Sequence, residues 1–135
     1  MRPNTFDVKK KRKCISVFKV GKLWVFKYFF GDKEIFKELV DHYNRDRYCF
    51  EFKTIGERNK ALKLLEFNDF DIDLVEDLSG YLVKLDKSSK YTPVLKNSVA
   101  HTETLKERIF VMRDLTSVEE ALNFGAEVYK GDVKF

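Results

Sequence analysis

Five consecutive basic side chains near the start of the chain have the type and spacing to bind a polyanion: Lys9, Lys10, Lys11, Arg12 and Lys13. Each Lys or Arg that contacts a phosphate strengthens binding to nucleic acid at low salt. The run supplies most of the positive charge, since the whole chain has a formal net charge of only +4. We therefore predict a flexible basic arm over residues 1–12, in which Arg2 also contacts phosphate. A solvated tail or a nuclear import signal has the same composition.

Aromatic residues follow the basic run closely. Residues 14–20 and 23–30 are predicted to form a hairpin, because Gly21 at the first loop position suits a two-residue type II′ turn. This register brings five side chains to one face: Lys13, Lys19, Trp24, Phe26 and Tyr28. Single-stranded nucleic acids bind to such surfaces, because bases stack on rings while cations follow the backbone. A hairpin covered on both sides would instead bury these rings in the core.

The stretch 47–52, followed by residues 61–62, resembles the third strand and second helix of the RNA-recognition motif. That family stacks bases on exposed rings of a central strand, and the resemblance implies that Tyr48 and Phe50 are the ring positions. The chain departs from the family pattern at Arg47 and Glu51. It also leaves no room for the family's second strand. Packing in the core explains both rings more simply.

Two residues of the same stretch carry a different chemistry. Glu51 and Lys53 form an E-x-K motif, which resembles an element of the restriction-endonuclease-like nucleases. In such a site a carboxylate binds Mg²⁺ and a lysine polarises the attacking water. The site also needs a carboxylate on the adjacent strand. Asp71 or Asp73 supplies it only if the strand over 70–74 pairs with the strand that carries Glu51. An exposed pair of opposite charges is the simpler interpretation.

The remaining elements predict an α+β fold that starts with a hairpin, has an antiparallel or mixed sheet with two or more helices on one face, and contains a ferredoxin-like βαβ unit. Asp32 is a suitable N-cap for a first helix, and Thr54 with Glu57 has capping-box spacing for a second. Strands are predicted over 47–53, 70–74 and 81–85. Residues 86–97 are predicted to be a polar loop, and 98–107 a helix. Residues 108–112 fit either continuation of that helix or a strand, before a helix capped by Thr116 and a last strand over 126–130.

Length and composition predict a single folded domain over residues 13–135. Hydrophobic residues make up 44% of the 135-residue chain, which is too apolar for a disordered protein. Cys14 and Cys49 lie too far apart in sequence for a zinc or redox motif. His42 and His101 are predicted to be ordinary surface or half-buried residues, and no cofactor or metal site is predicted. The absence of glutamine beside abundant Lys and Glu fits either a hot environment or an AT-rich genome.

These observations lead to three ordered hypotheses for a cytoplasmic protein that does not bind membranes. The first is a small non-catalytic module that binds single-stranded RNA or DNA through the basic arm and the hairpin rings. The second is a protein-interaction module, or a module that assembles with copies of itself, through an apolar face. The third is a small metal-dependent nuclease that uses Glu51 and Lys53. Catalysis is therefore less expected than binding, although it is left open.

Overall fold

A computed structural model describes residues 13–135. The predicted arm, with Arg2 and the cations Lys9 to Arg12, lies outside these described residues. The strands are β1 (Lys13–Val20), β2 (Leu23–Phe26), β3 (Tyr43–Asn44), β4 (Cys49–Phe52), β5 (Phe70–Val75), β6 (Leu82–Asp86), β7 (Ser98–Glu103), β8 (Glu107–Met112) and β9 (Glu127–Val128). The helices are α1 (Lys33–Leu39), α2 (Ile55–Phe67), α3 (Thr92–Lys96) and α4 (Leu115–Phe124), and a short 3₁₀ turn covers Val40–His42. The mixed content confirms the predicted α+β class.

The first sheet is mixed, with the strand order β3-β4-β2-β1-β5. Its centre is the predicted hairpin, in which Val20 pairs with Leu23 and Lys19 pairs with Trp24. Gly21 has φ of +60°, as a type II′ turn requires at its first central position. Strand β4 pairs antiparallel with β2, whereas β5 pairs parallel with β1 after the crossover through α2. Strands β1, β4 and β5 therefore all begin at the end of the sheet where β2 ends.

The second sheet is antiparallel and has the order β7-β8-β6-β9. Along the chain, residues 82–128 run strand, helix, strand, strand, helix, strand. This is the βαββαβ order of a ferredoxin-like unit, with the first and third strands adjacent in the centre. The predicted ferredoxin-like unit is therefore present, and it forms the second half of the chain.

The two sheets pack face to face with helices on both outer sides, giving four layers. Side chains from α1 and α2 join one outer core with Phe26, and side chains from α3 and α4 join the other with Phe110. Between the sheets lies a third apolar cluster, which includes Phe18, Val25 and Val111 and contains no residue from these four helices. Each sheet thus carries two helices on its outer face, which confirms the prediction of two or more helices on one face of the sheet that contains the hairpin.

Helix starts follow the local sequence signals. The Asp32 carboxylate accepts a hydrogen bond from the backbone N–H of Glu34 at 2.8 Å, and Thr54 Oγ1 accepts from the backbone N–H of Glu57 at 3.1 Å. Both predicted N-caps are confirmed. Helix α4 begins earlier than predicted, because Asp114 accepts from the backbone N–H of Ser117 at 2.7 Å. The predicted cap at Thr116 was wrong, since an Asp two residues earlier provides a better acceptor.

Three further predictions about the second half need correction. Residues 98–107 form strand β7 and a turn, not a helix, because β7 pairs with β8 over most of its length. The polar loop predicted over 86–97 contains helix α3, which has Pro93 in its first turn and buries Val94. Residues 108–112 belong to strand β8. Sheet pairing outweighed the weak helical pattern of residues 98–107.

Candidate nucleic-acid interface

The rings predicted to stack on bases occupy the core. Trp24 is 6% exposed and Phe26 is 0% exposed, and both lie between the first sheet and its two helices. The ring of Phe26 lies 4.9 Å from that of Phe50. The guanidinium of Arg58 on α2 lies 4.4 Å from the centre of the Trp24 ring, and Lys19 Nζ lies 5.2 Å from it. Trp24 and Phe26 therefore have a packing role, which corrects the stacking role suggested by their spacing.

Tyr28 and Lys19 also turn toward this covered face. The Tyr28 ring lies 5.0 Å from that of Phe30 and 5.3 Å from that of Phe70, and Tyr28 is partly buried against the same core. Phe50, the ring position implied by the RNA-recognition resemblance, is 1% exposed. The hairpin is therefore covered on both sides, which was the alternative to a base-stacking face. Lys13 remains exposed at the start of β1.

Three other aromatic side chains are the most exposed among the Phe, Tyr and Trp residues of the described chain. Phe29 is 89% exposed, Phe67 is 87% exposed and Tyr48 is 68% exposed. Phe29 follows β2, Tyr48 precedes β4, and Phe67 ends α2 shortly before β5. Because β1, β4 and β5 begin where β2 ends, these rings lie at one end of the first sheet. We call it the arm end, since residues 1–12 lead into β1 there.

The backbone holds Tyr48 in an unusual conformation. Its φ is +55°, a left-handed value that is rare for a bulky aromatic residue. The turn before it is fixed by the Asn44 carboxamide, whose Oδ1 accepts hydrogen bonds from the backbone N–H groups of Asp46 at 2.9 Å and Arg47 at 3.2 Å. This turn breaks the predicted alternation of residues 47–53, so Tyr48 faces solvent whereas Phe50 and Phe52 are buried. Strain of this kind concentrates at functional positions.

Basic side chains lie on the segments that meet near the arm end. Lys27 Nζ donates a hydrogen bond to the carbonyl of Lys96 at the end of α3, at 3.2 Å. Arg47 pairs with Glu51 at 3.4 Å on the rim of β4. Burial lowers the pKa of the Lys27 ammonium, the neighbouring Cys49 opposes this, and the charge of Arg113 lowers the pKa further. Cations from both sheets therefore meet close to the arm end.

The two cysteines differ in their surroundings. Cys49 is buried between the sheets, and desolvation together with the charge of Glu51 raises the pKa of its thiol to about 12. Cys14 is exposed, and desolvation and the charges of Asp73 and Asp71 raise the pKa of its thiol as well. Only the thiolate is the nucleophile, so a raised pKa slows alkylation at neutral pH.

We expect iodoacetamide to modify the native protein once, at Cys14, and the denatured protein twice. The Cys14 reaction is expected to accelerate as the pH rises toward 9, because a raised pKa leaves little thiolate at neutral pH. Intact-mass measurement over time gives the number of adducts, and peptide mapping gives the site. Rapid modification of Cys49 in the native protein would contradict its burial between the sheets.

The residues of the nuclease hypothesis are not brought together. Strands β2 and β1 lie between β4, which carries Glu51, and β5, which carries Asp71 and Asp73. Three interstrand steps separate the two strands by about 14 Å. The Glu51 carboxylate instead accepts a hydrogen bond from the Asn44 side chain at 3.3 Å. Within residues 13–135, no group of three or more His, Cys, Asp or Glu side chains has an arrangement that holds a metal ion.

Comparison with known proteins gives no match. No protein-family model, no curated protein and no solved structure matches this chain. The resemblance of residues 47–52 to the RNA-recognition motif is therefore not supported by any family match. Among the described residues, no helix has the length and apolar composition needed to cross a membrane.

Sequence reasoning missed five residues of this surface: Lys27, Phe29, Arg47, Phe67 and Arg113. One signal for the first two was present, because Lys27 and Phe29 alternate with Phe26 and Tyr28 and so share the face opposite to the predicted one. No comparable signal identified Phe67, since an aromatic residue at a helix end is equally compatible with burial. Arg113 required knowledge of how the second sheet packs on the first.

Proposed function

We propose that this protein is a small non-catalytic module that binds single-stranded RNA or DNA at the arm end. The supporting observation is the grouping of Phe29, Tyr48 and Phe67, the most exposed aromatic rings among the described Phe, Tyr and Trp residues, at that end. Proteins that bind single strands without strong sequence preference combine exposed rings with cations that follow the backbone. The proposed surface thus uses rings other than Trp24, Phe26 and Tyr28.

Chain connectivity joins the basic run to the same surface. Lys13 is the first residue of β1 and pairs with Phe70 at the start of β5. Residues 9–12 directly precede Lys13 in the sequence, so four cations come immediately before the strand that begins at the arm end. Their local density suits a polyanion better than the modest net charge of the whole chain suggests.

Backbone and base contacts would then come from different parts of the chain. Residues 9–13, with Arg2, Lys27 and Arg47, contact phosphates, and the three rings stack on bases. Base stacking contributes about 1–3 kcal/mol per base and tolerates different sequences. Exposed aromatic side chains also suit a protein partner. Salt dependence distinguishes the two, because binding to a polyanion weakens steeply with added salt.

We expect the double variant Phe29→Ala, Tyr48→Ala to bind a single-stranded oligonucleotide at least about tenfold more weakly than the natural protein, because two bases then have no ring to stack on. The thermal midpoint is expected to change little, because both side chains are exposed. Fluorescence anisotropy with labelled RNA and DNA strands of about 12 nucleotides, at about 50 and 200 mM salt, measures the affinity.

Phe124→Ala is the matched control, because Phe124 is an aromatic residue with 45% exposure at the end of α4, in the helical layer of the second sheet. Its affinity is expected to equal that of the natural protein. Binding that does not depend on salt, or no binding to any single strand, would rule out the proposal and direct the search to a protein partner. An equal decrease in the control would remove the arm end as the site.

A further inference from the structure

We propose that Lys27 and Arg113 form a phosphate-binding pair between the two sheets at the arm end. This inference rests on the proposed function and deepens it, because it assigns one phosphate of the bound strand to a defined site. The two residues come from different sheets, Lys27 just after β2 and Arg113 just after β8. The packing of the two halves creates the pair.

Two hydrogen bonds fix the pair to adjacent residues of one segment. Lys27 Nζ donates to the carbonyl of Lys96 at 3.2 Å, and the backbone N–H of Arg113 donates to the carbonyl of Asn97 at 2.9 Å. The side chain of Lys27 lies on the same strand face as Val25, which packs between the sheets. The Lys27 ammonium and the Arg113 backbone are therefore bound to neighbouring residues, and the carbonyl that accepts from Lys27 leaves its charge unneutralised.

The hydrogen-bonding capacity of the pair is only partly used. Arg113 Nε is buried and has no hydrogen-bond acceptor among the described residues. The nearest carboxylate oxygen, Oδ2 of Asp114, lies 3.7 Å away, which is an ion-pair distance and too long for a hydrogen bond. The Lys27 ammonium has three donors, of which Lys96 accepts one. A buried donor without a partner indicates an acceptor that comes from a ligand or from solvent.

A phosphate group of the bound strand fits these donors. The guanidinium group presents several N–H donors in one plane and binds phosphate oxygens by two parallel hydrogen bonds, and an ammonium adds a compact charge. Both side chains are half-buried, so an anion reaches their exposed parts from solvent, and Arg113 Nε lies behind these in the same guanidinium group. The exposed ring of Phe29 lies two residues beyond Lys27, so a base on that ring has its phosphate beside the pair.

The probes are inorganic phosphate and two matched oligonucleotides, one with a 5′-phosphate and one with a 5′-hydroxyl. The NMR resonance of the Arg113 Nε–H group reports directly on the site. We expect this resonance to shift on addition of phosphate and of either oligonucleotide. A preference of about tenfold for the 5′-phosphate identifies a terminal phosphate as the ligand, and equal affinity identifies an internal phosphodiester. Both of these results support the pair.

Lys27→Met and Arg113→Lys test each member. Arg113→Lys keeps the charge but removes the Nε donor, and we expect oligonucleotide affinity to fall about tenfold, as for one hydrogen bond to a charged group. Lys27→Met is expected to weaken binding by a similar factor without lowering the thermal midpoint, because its charge is already disfavoured by burial and by Arg113. Lys22→Gln removes one charge in the hairpin turn, at the opposite end of the sheet, and is expected to bind normally.

Two outcomes overturn the pair. If oligonucleotides bind but the Arg113 Nε–H resonance does not move, water satisfies this donor and the pair is structural. If both variants bind as well as Lys22→Gln, the strand does not use the pair. A different result contradicts the proposed function. If the Arg113 Nε–H resonance shifts with inorganic phosphate but no oligonucleotide binds, the pair binds anions and the protein does not bind nucleic acid.

Discussion

Phe26→Ala is expected to lower the free energy of unfolding by about 3–5 kcal/mol, the usual cost of removing a fully buried aromatic ring. Phe26 is 0% exposed, and its ring lies 4.9 Å from Phe50, 6.0 Å from Phe52 and 6.2 Å from Phe30. The removed ring leaves a cavity in the core between the first sheet and its two helices. Urea denaturation, followed by circular dichroism, measures the change in unfolding free energy.

Phe29→Ala provides the matched control three residues further along the chain. Its ring is 89% exposed, so the free energy of unfolding is expected to change by no more than about 0.5 kcal/mol. The two variants thus separate stability from binding, since Phe26 supports the core and Phe29 belongs to the proposed interface. A decrease below about 1 kcal/mol for Phe26→Ala would contradict the packing of the first outer core.

Neutralising the basic run is the second change with a large expected effect. Replacing Lys9, Lys10, Lys11 and Arg12 with Gln is expected to weaken single-strand binding by about 100-fold or more at low salt. The slope of log affinity against log salt is expected to fall by about 0.7 for each phosphate that the arm no longer neutralises. Lys13 is left unchanged because it is part of β1 and pairs with β5. Anisotropy titrations over a series of salt concentrations give both quantities.

The control for this variant removes the same charge from another surface. Lys33, Lys37, Lys60 and Lys63 are exposed on α1 and α2, and their replacement with Gln lowers the net charge by the same amount. If binding depends on the local density of the run, the affinity of this control is expected to fall much less. An equal decrease in both variants would show that net charge alone governs binding and would remove the arm from the site.

Local features of the fold could be predicted because short sequence signals determine them. The hairpin register follows from Gly21, and the starts of α1 and α2 follow from Asp32 and Thr54. These features depend on backbone conformation and on hydrogen bonds between residues close in sequence. The same reasoning failed for residues 98–103, where pairing with β8 decides the structure.

The candidate site was harder to predict because exposure depends on packing between distant segments. Both faces of the hairpin are apolar, since one meets helices and the other meets the second sheet. Trp24 and Phe29 are therefore indistinguishable by residue type, and only the tertiary fold separates buried from exposed rings. The basic run could be recognised from sequence, but the rings and the cation pair beside it required the order of strands in the first sheet.

The parallel pairing of β1 with β5 has a consequence for the synthesis of the protein. Residues 13–18 leave the ribosome well before residues 70–75, which are their partners. Until then, one side of the β1–β2 hairpin presents unpaired backbone groups to other nascent chains. Exposed strand edges of this kind promote aggregation, and charged residues on or beside them oppose it. The cations that precede β1 thus oppose aggregation of the nascent chain, independently of any ligand.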